Sequence, residues 1–147
     1  MADVSEKPVT IGYAVGKGRI DLQQSTVEAI TGSAPAENDV LEAARSAGIS
    51  AAKRCDELIP ASHVLPLDRV SVNLEPESNP PGVEITSEVV CQSKTGAEME
   101  ALVAVSAAAL SIYDTVKEID ESAEIGDIHL VEKIRGNNRH FIRKERL

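Results

Sequence analysis

The sequence predicts an α+β fold, with helices packed on one face of an antiparallel sheet. Two observations lead there. Stretches near 14–22, 67–75 and 83–91 alternate apolar and polar residues with the period of a strand. Later, from Ala101 to Tyr113, every residue except Ser106 and Ser111 is apolar or small, a run of helical length and composition. A chain of 147 residues fits one domain.

Taken in order, residues 1–12 read as a polar N-terminal arm carrying Pro8. Over 14–22, Ala14, Gly16, Gly18, Ile20 and Leu22 alternate with Val15, Lys17, Arg19 and Asp21. The glycines of this strand mark close backbone approach. Gly12, Gly16 and Gly18 with Lys17 fit neither GxGxxG nor GxxxxGK[ST], so no phosphate loop is read here. Ser25 can cap a short helix ending near Gly32. After a loop through Ala36, Asn38 or Asp39 caps a second helix over 40–58. Gly48 inside it costs about 1 kcal/mol relative to Ala, which predicts close packing at that point. The loop 59–66 is bounded by Pro60 and Pro66. Strands over 67–75 and 83–91 flank Glu77-Ser-Asn-Pro-Pro-Gly82 and form a hairpin. Thr95 and Gly96 open the long helix, which runs to Lys117 with Glu98 at the positive end of its dipole. An acidic connector, 118–124, precedes a last strand over 128–134 and a basic C-terminal tail, 136–147. The order is the β-α-β-β-α-β pattern of ferredoxin-like sandwiches.

Composition narrows the function classes. The net charge is -9, yet residues 133–147 hold six Lys/Arg against one Glu, a local +5. The remainder carries 9 basic and 23 acidic residues, which argues against nucleic-acid binding, since that needs a basic face. Cys55 and Cys91 have no zinc spacing and read as free buried thiols of a reducing cytosol. There is no basic-then-apolar N-terminal signal, and the apolar run is expected to be too short to span a bilayer. A cytoplasmic protein without a membrane partner is expected.

The long helix is apolar nearly all round, so cover is needed on two sides. One sheet supplies one side, and a second subunit is expected on the other. Glu100 and Asp114 lie fourteen residues apart on a shared face, roughly 21 Å along the axis. One straight helix cannot bring both to one small molecule. Either one end matters, or a neighbouring copy supplies the other. Asp114 and Lys117, three apart, form either a surface ion pair or a proton-transfer pair. His63 sits in the proline-bounded loop, a rigid place to present a side chain. Glu98 and Glu100 flank Met99 at the helix start. Lys94 and Lys133 are either exposed or placed to meet an anion. No Ser-His-Asp arrangement, metal cluster or nucleotide motif is identifiable.

Four blocks add a resemblance. Ala47-Gly-Ile-Ser-Ala-Ala-Lys-Arg54, Leu58-Ile-Pro-Ala-Ser-His63, Lys94-Thr-Gly-Ala-Glu-Met-Glu-Ala101 and Ile112-Tyr-Asp-Thr-Val-Lys117 occur in that order. The chain resembles the molybdenum-cofactor biosynthesis protein C family, from Asp3 to about Phe141. That resemblance implies a ferredoxin-like fold, a homohexamer assembled from dimers, and an active site shared between subunits. It implies conversion of 3′,8-cyclo-7,8-dihydro-GTP to cyclic pyranopterin monophosphate with loss of pyrophosphate. It implies Asp114 and Lys117 as the catalytic acid–base pair, and Ala61, Ser62, His63, Glu98, Met99, Glu100 and Lys133 around the substrate. No metal or redox cofactor is implied. The chain departs from the family's usual residues at several places. Glu37-Asn38 stand for a usual Lys-Gly, and Gly12 for a common Arg. Ala61-Ser62-His63-Val64 stand for Leu-Cys-His-Pro, and Arg135-Gly-Asn-Asn-Arg139 for Gly-Gly-Lys-Ser-Gly. Two of these changes remove positive charge from a triphosphate site, and Arg135, Arg139 and Lys17 are the candidates to compensate. The alternative, which Glu37 favours, is a non-catalytic paralogue acting as a binding or assembly subunit.

Overall fold

A computed structural model describes residues 1–32, 39–136 and 139–144. In chain order the elements are β1 (Thr10–Asp21), α1 (Gln24–Thr31), α2 (Val40–Lys53), α3 (Cys55–Leu58), β2 (Leu67–Ser78), β3 (Pro81–Ser93), α4 (Glu98–Val116), β4 (Glu124–Arg135) and β5 (Arg139–Ile142). The five strands form one sheet in the order β2-β3-β1-β4-β5, every pair antiparallel. Helix α4 lies on β1, β3 and β4, and α2 lies beside it over β2.

Alternation along β1 sets this geometry. Its even positions face α4, and those from Gly12 to Gly18 are kept small. A Cβ on Gly16 would meet the Ala101 carbonyl oxygen at 3.0 Å, so glycine lets the helix come close. Ser87 on β3 donates its hydroxyl to that same carbonyl at 2.7 Å. Between the helices, a Cβ on Gly48 would approach the Ala104 carbonyl at 2.8 Å, which is the close packing its sequence position predicts. Ile20, Val83, Ile85, Val105, Ile112 and Val116 are sealed from solvent around this contact. Each such side chain contributes about 1.5–3 kcal/mol by burial.

Several boundaries differ from the sequence expectation, for physical reasons. The helix over 40–58 is two helices. Arg54 leaves helical geometry (φ -115, ψ 21), its N–H binding the carbonyls of Ala51 and Ala52, and the turn carries Cys55 into the core. Asp39 caps α2, accepting from the N–H groups of Leu41 at 3.0 Å and Glu42 at 3.2 Å, while Asn38 lies outside the described residues. Ser25 caps nothing. Helix α1 starts at Gln24, two residues earlier than a Ser25 cap would place it, and Asp120, from the connector after α4, accepts the Gln23 N–H at 2.8 Å. Positions 10–12 of the expected arm belong to β1, which pairs as far as Thr10↔Ser93. Strand β4 begins at Glu124 rather than 128. Register shifts against β1, with Asp127 at φ 55, break its alternation and hid its start. Part of the expected tail is β5, with Lys133 opposite Phe141.

Helix α4 is long and apolar enough, by length and composition, to cross a membrane, contrary to the expectation of too short a run. It is nonetheless a core helix. Ala101, Ala104, Val105, Ala108, Ala109, Ile112 and Val116 are all buried. Its second cover comes first from α2 of the same chain. What remains open is an outer stripe with Met99, Leu110 and Tyr113 exposed. Both cysteines are free and buried, as the sequence suggests.

Candidate functional site

The polar groups gather at the two ends of α4. At its start, strand β4 brings Lys133, whose ammonium lies 3.2 Å from a Glu98 carboxylate oxygen. Two residues on, Arg135 donates from its guanidinium to the Lys94 carbonyl at 2.6 Å, just before the turn into the helix. The first turn of α4 follows Ala97 and has no side-chain cap. Its N–H groups are therefore open to a ligand or to the acidic side chains of the turn.

Glu100 is the unusual member of this end. It is only 3% exposed, and its Oε2 has no hydrogen-bond partner among the described residues. Burial, aided by the nearby charges of Glu98 and Asp56, pushes its carboxyl up to about 7. Burial and the Glu100 charge in turn push the Cys55 thiol up to about 11, and the same two causes raise Cys91. Both thiols thus stay protonated near neutrality.

Cys55 joins the helix to the proline-bounded loop. Its sulfur lies 4.0 Å from the Ser62 hydroxyl, which donates to the Ile59 carbonyl at 2.8 Å. Ala61 is exposed and His63 half-buried. A His63 ring nitrogen meets the Ala2 carbonyl at 2.8 Å, and the Lys94 ammonium reaches the Ser5 carbonyl at 3.4 Å. The N-terminal arm therefore lies against both. Met99 points outward and is 38% exposed.

At the far end of α4, Asp114 and Lys117 form an exposed pair at 2.8 Å. The hydrogen bond and charge of Lys117 hold the Asp114 carboxyl below its usual value, and Asp114 raises Lys117 by the same two effects. The resting pair is carboxylate and ammonium. Fourteen residues of helix, about 21 Å of rise, separate Asp114 from Glu100. One copy brings Lys133 to Glu98, and Glu100 to the loop through Cys55, but leaves Asp114 and Lys117 apart from them.

Of the suggested compensating cations, Lys17 is on the wrong face. Its neighbours Gly16 and Gly18 face α4, so it projects from the opposite side of the sheet, 3.0 Å from Glu84. There it lines an acid-rich concavity of about 430 Å³ with Glu75 and Glu88. Glu37 and the side chain of Arg139 lie outside the described residues. Sequence reasoning missed the setting of Glu100, and it named Arg135 as a candidate compensating cation without placing it beside Lys133 on β4. The period-two spacing of Lys133 and Arg135 was the available signal for the second. Among the described residues no group of three or more His, Cys, Asp or Glu is placed to hold a metal ion.

The sequence pattern of the MoaC family matches residues 1–136. The chain belongs to the MoaC family. Its relatives include the cyclic pyranopterin monophosphate synthase of Magnetococcus marinus, 46% identical over 143 residues, covering 97% of this chain and 88% of that protein. Cyclic pyranopterin monophosphate synthase 1 of Mycobacterium tuberculosis is 49% identical over 138 residues, covering 94% of this chain and 81% of that protein. The synthase of Desulfitobacterium hafniense is 45% identical over 148 residues, covering 100% and 90%.

Proposed function

We propose that the chain is a cyclic pyranopterin monophosphate synthase of molybdenum cofactor biosynthesis. It is a lyase-type enzyme that converts 3′,8-cyclo-7,8-dihydro-GTP to cyclic pyranopterin monophosphate and releases pyrophosphate. The observation that carries this is membership of the family over residues 1–136, with relatives of that name at 43–49% identity. In this reading the protein is cytoplasmic and takes a small-molecule substrate, with no nucleic-acid or membrane partner.

The working unit is a homohexamer assembled from dimers, each chain a ferredoxin-like sandwich extended by β5. Two features support this. The strand order, with α2 and α4 over the sheet, suits that sandwich, and the outer stripe of α4 leaves Leu110 59% exposed. A second copy that covers the stripe can bring its own Asp114 and Lys117 to the Glu98–Glu100 end of the first. Asp114 then accepts a proton as the carboxylate base and Lys117 returns one as the acid, the states in which the resting pair is held. Glu100 and His63 contact the pterin-forming part of the substrate, with Ala61, Ser62 and Met99 shaping the pocket. Lys133, oriented by Glu98, faces the phosphates. The reaction needs no metal or redox cofactor.

The second reading, a non-catalytic binding or assembly subunit, is favoured by Glu37 where the family usually has Lys. Incubating the protein with the cyclised dihydro-GTP and measuring pyrophosphate separates the two. Release at a rate proportional to enzyme is expected. Substrate binding without release would establish the second reading.

A further inference from the structure

We infer that Arg135 is a phosphate-positioning residue of this site, reaching past Gly12 to the turn that leads into α4. The inference rests on the proposed function for the identity of the substrate, and on the geometry for everything else. Arg135 and Gly12 are direct cross-strand partners in the β1·β4 pairing. A side chain at position 12 would start 3.0 Å from the Cys91 sulfur and 3.7 Å from both the Gly96 Cα and the Thr95 carbonyl oxygen. It would aim at the turn that leads into α4. Arg135 reaches the same turn from the other strand, holding the Lys94 carbonyl at 2.6 Å. Glycine at position 12 leaves the space over that turn open to it.

The charges at this end single the residue out. Lys133 is neutralised by Glu98 at 3.2 Å. Arg135 meets only a carbonyl among the described residues, so its charge is not cancelled. A guanidinium carries five N–H donors in a planar fork, and the carbonyl bond leaves the others for a ligand. Such a fork binds phosphate oxygens in pairs, and these contacts are about twice as strong as neutral ones. Strand geometry puts Arg135 on the same face as Lys133, directed at the uncapped first turn of α4. At the same end the buried Glu100 Oε2 has no partner among the described residues. A nucleotide triphosphate laid across this end meets Arg135 with its phosphates.

The test compares binding of GTP and of guanosine, by equilibrium dialysis, to the intact protein and to Arg135→Ala, Arg135→Lys and the swap Gly12→Arg/Arg135→Gly. Loss of the guanidinium is expected to weaken GTP about 10- to 100-fold and leave guanosine within a factor of two. Arg135→Lys should recover part of the loss, because it keeps the charge and not the fork. The swap should recover more of it, since it returns a guanidinium to the same turn. If Arg135 only braces the Lys94 turn, Arg135→Ala weakens both ligands alike and the inference fails. It fails equally if GTP binding is unchanged. Failure of the function is a separate result: an intact protein that discriminates GTP from guanosine through Arg135 yet releases no pyrophosphate binds without catalysis.

Discussion

Glu100→Gln tests the buried carboxyl directly. The ordinary value for this group is 4.5, and burial in the fold pushes it up to about 7. The native state therefore holds the proton more tightly than the unfolded chain does. A raised carboxyl gives stability that is complete below about pH 4.5 and is lost as pH rises through 7. At about 1.4 kcal/mol for each tenfold change in proton affinity, the total loss is about 3 kcal/mol. Glutamine imitates the protonated acid in shape and hydrogen bonding but does not titrate. The variant should match the unaltered protein near pH 5 and exceed its stability by about 2–3 kcal/mol at pH 8.5. Urea unfolding at fixed protomer concentration, repeated between pH 5 and 8.5, measures this difference. Parallel curves, with the variant equally or less stable at every pH, would refute a protonated Glu100 and with it the unpartnered carboxyl at the start of α4.

Other outcomes follow from named contacts. Asp114→Asn and Lys117→Ala should each lower pyrophosphate release by about two to four orders of magnitude, with an unchanged melting temperature because both side chains are exposed. Asp120→Asn should cost about 1.5–3 kcal/mol near neutrality. Burial raises the Asp120 carboxyl, but bonds from Ser122, the Gln23 N–H and Thr26 outweigh this and hold it below its usual value. The stability it gives is present above the ordinary carboxylate range and lost on acidification, so the gap to Asn should close in acid denaturation. Gly48→Val should cost about 1–3 kcal/mol in urea unfolding by forcing α2 off the Ala104 carbonyl. Leu110→Glu should leave the fold intact and shift light scattering to smaller assemblies, because Leu110 is exposed in the single chain.

The sequence made the strands of the hairpin legible because alternation survives wherever pairing is regular, as between Val70↔Val89 and Leu74↔Ile85. It lost the start of β4 because bulges opposite Val15–Gly16 and Lys17–Arg19 break that period. β5 was hidden because it is four residues long and set in a basic tail, and an edge strand can carry charge without revealing its pairing. The cap of α1 was invisible for another reason. Its acceptor, Asp120, is 97 residues away, and only tertiary packing joins them. At the candidate site, spacing correctly separated Glu100 from Asp114 along one helix. It could not show that Glu100 is buried beside Cys55, because that depends on the break at Arg54, which a propensity reading runs through. Nor could it show that Gly12 and Arg135 face each other, which is a matter of register alone.

A site divided between copies is open to one direct measurement. Protomers carrying His63→Ala, altered in the 59–66 loop, are mixed with protomers carrying Asp114→Asn, altered at the end of α4. The two are unfolded and refolded together, and pyrophosphate release from the cyclised dihydro-GTP is followed. Each variant alone should be nearly silent. The mixture should recover a measurable part of the activity, because some sites then combine an intact His63 from one chain with an intact Asp114 from another. A mixture as silent as its components, from assemblies shown by mass to contain both chains, would contradict the shared site.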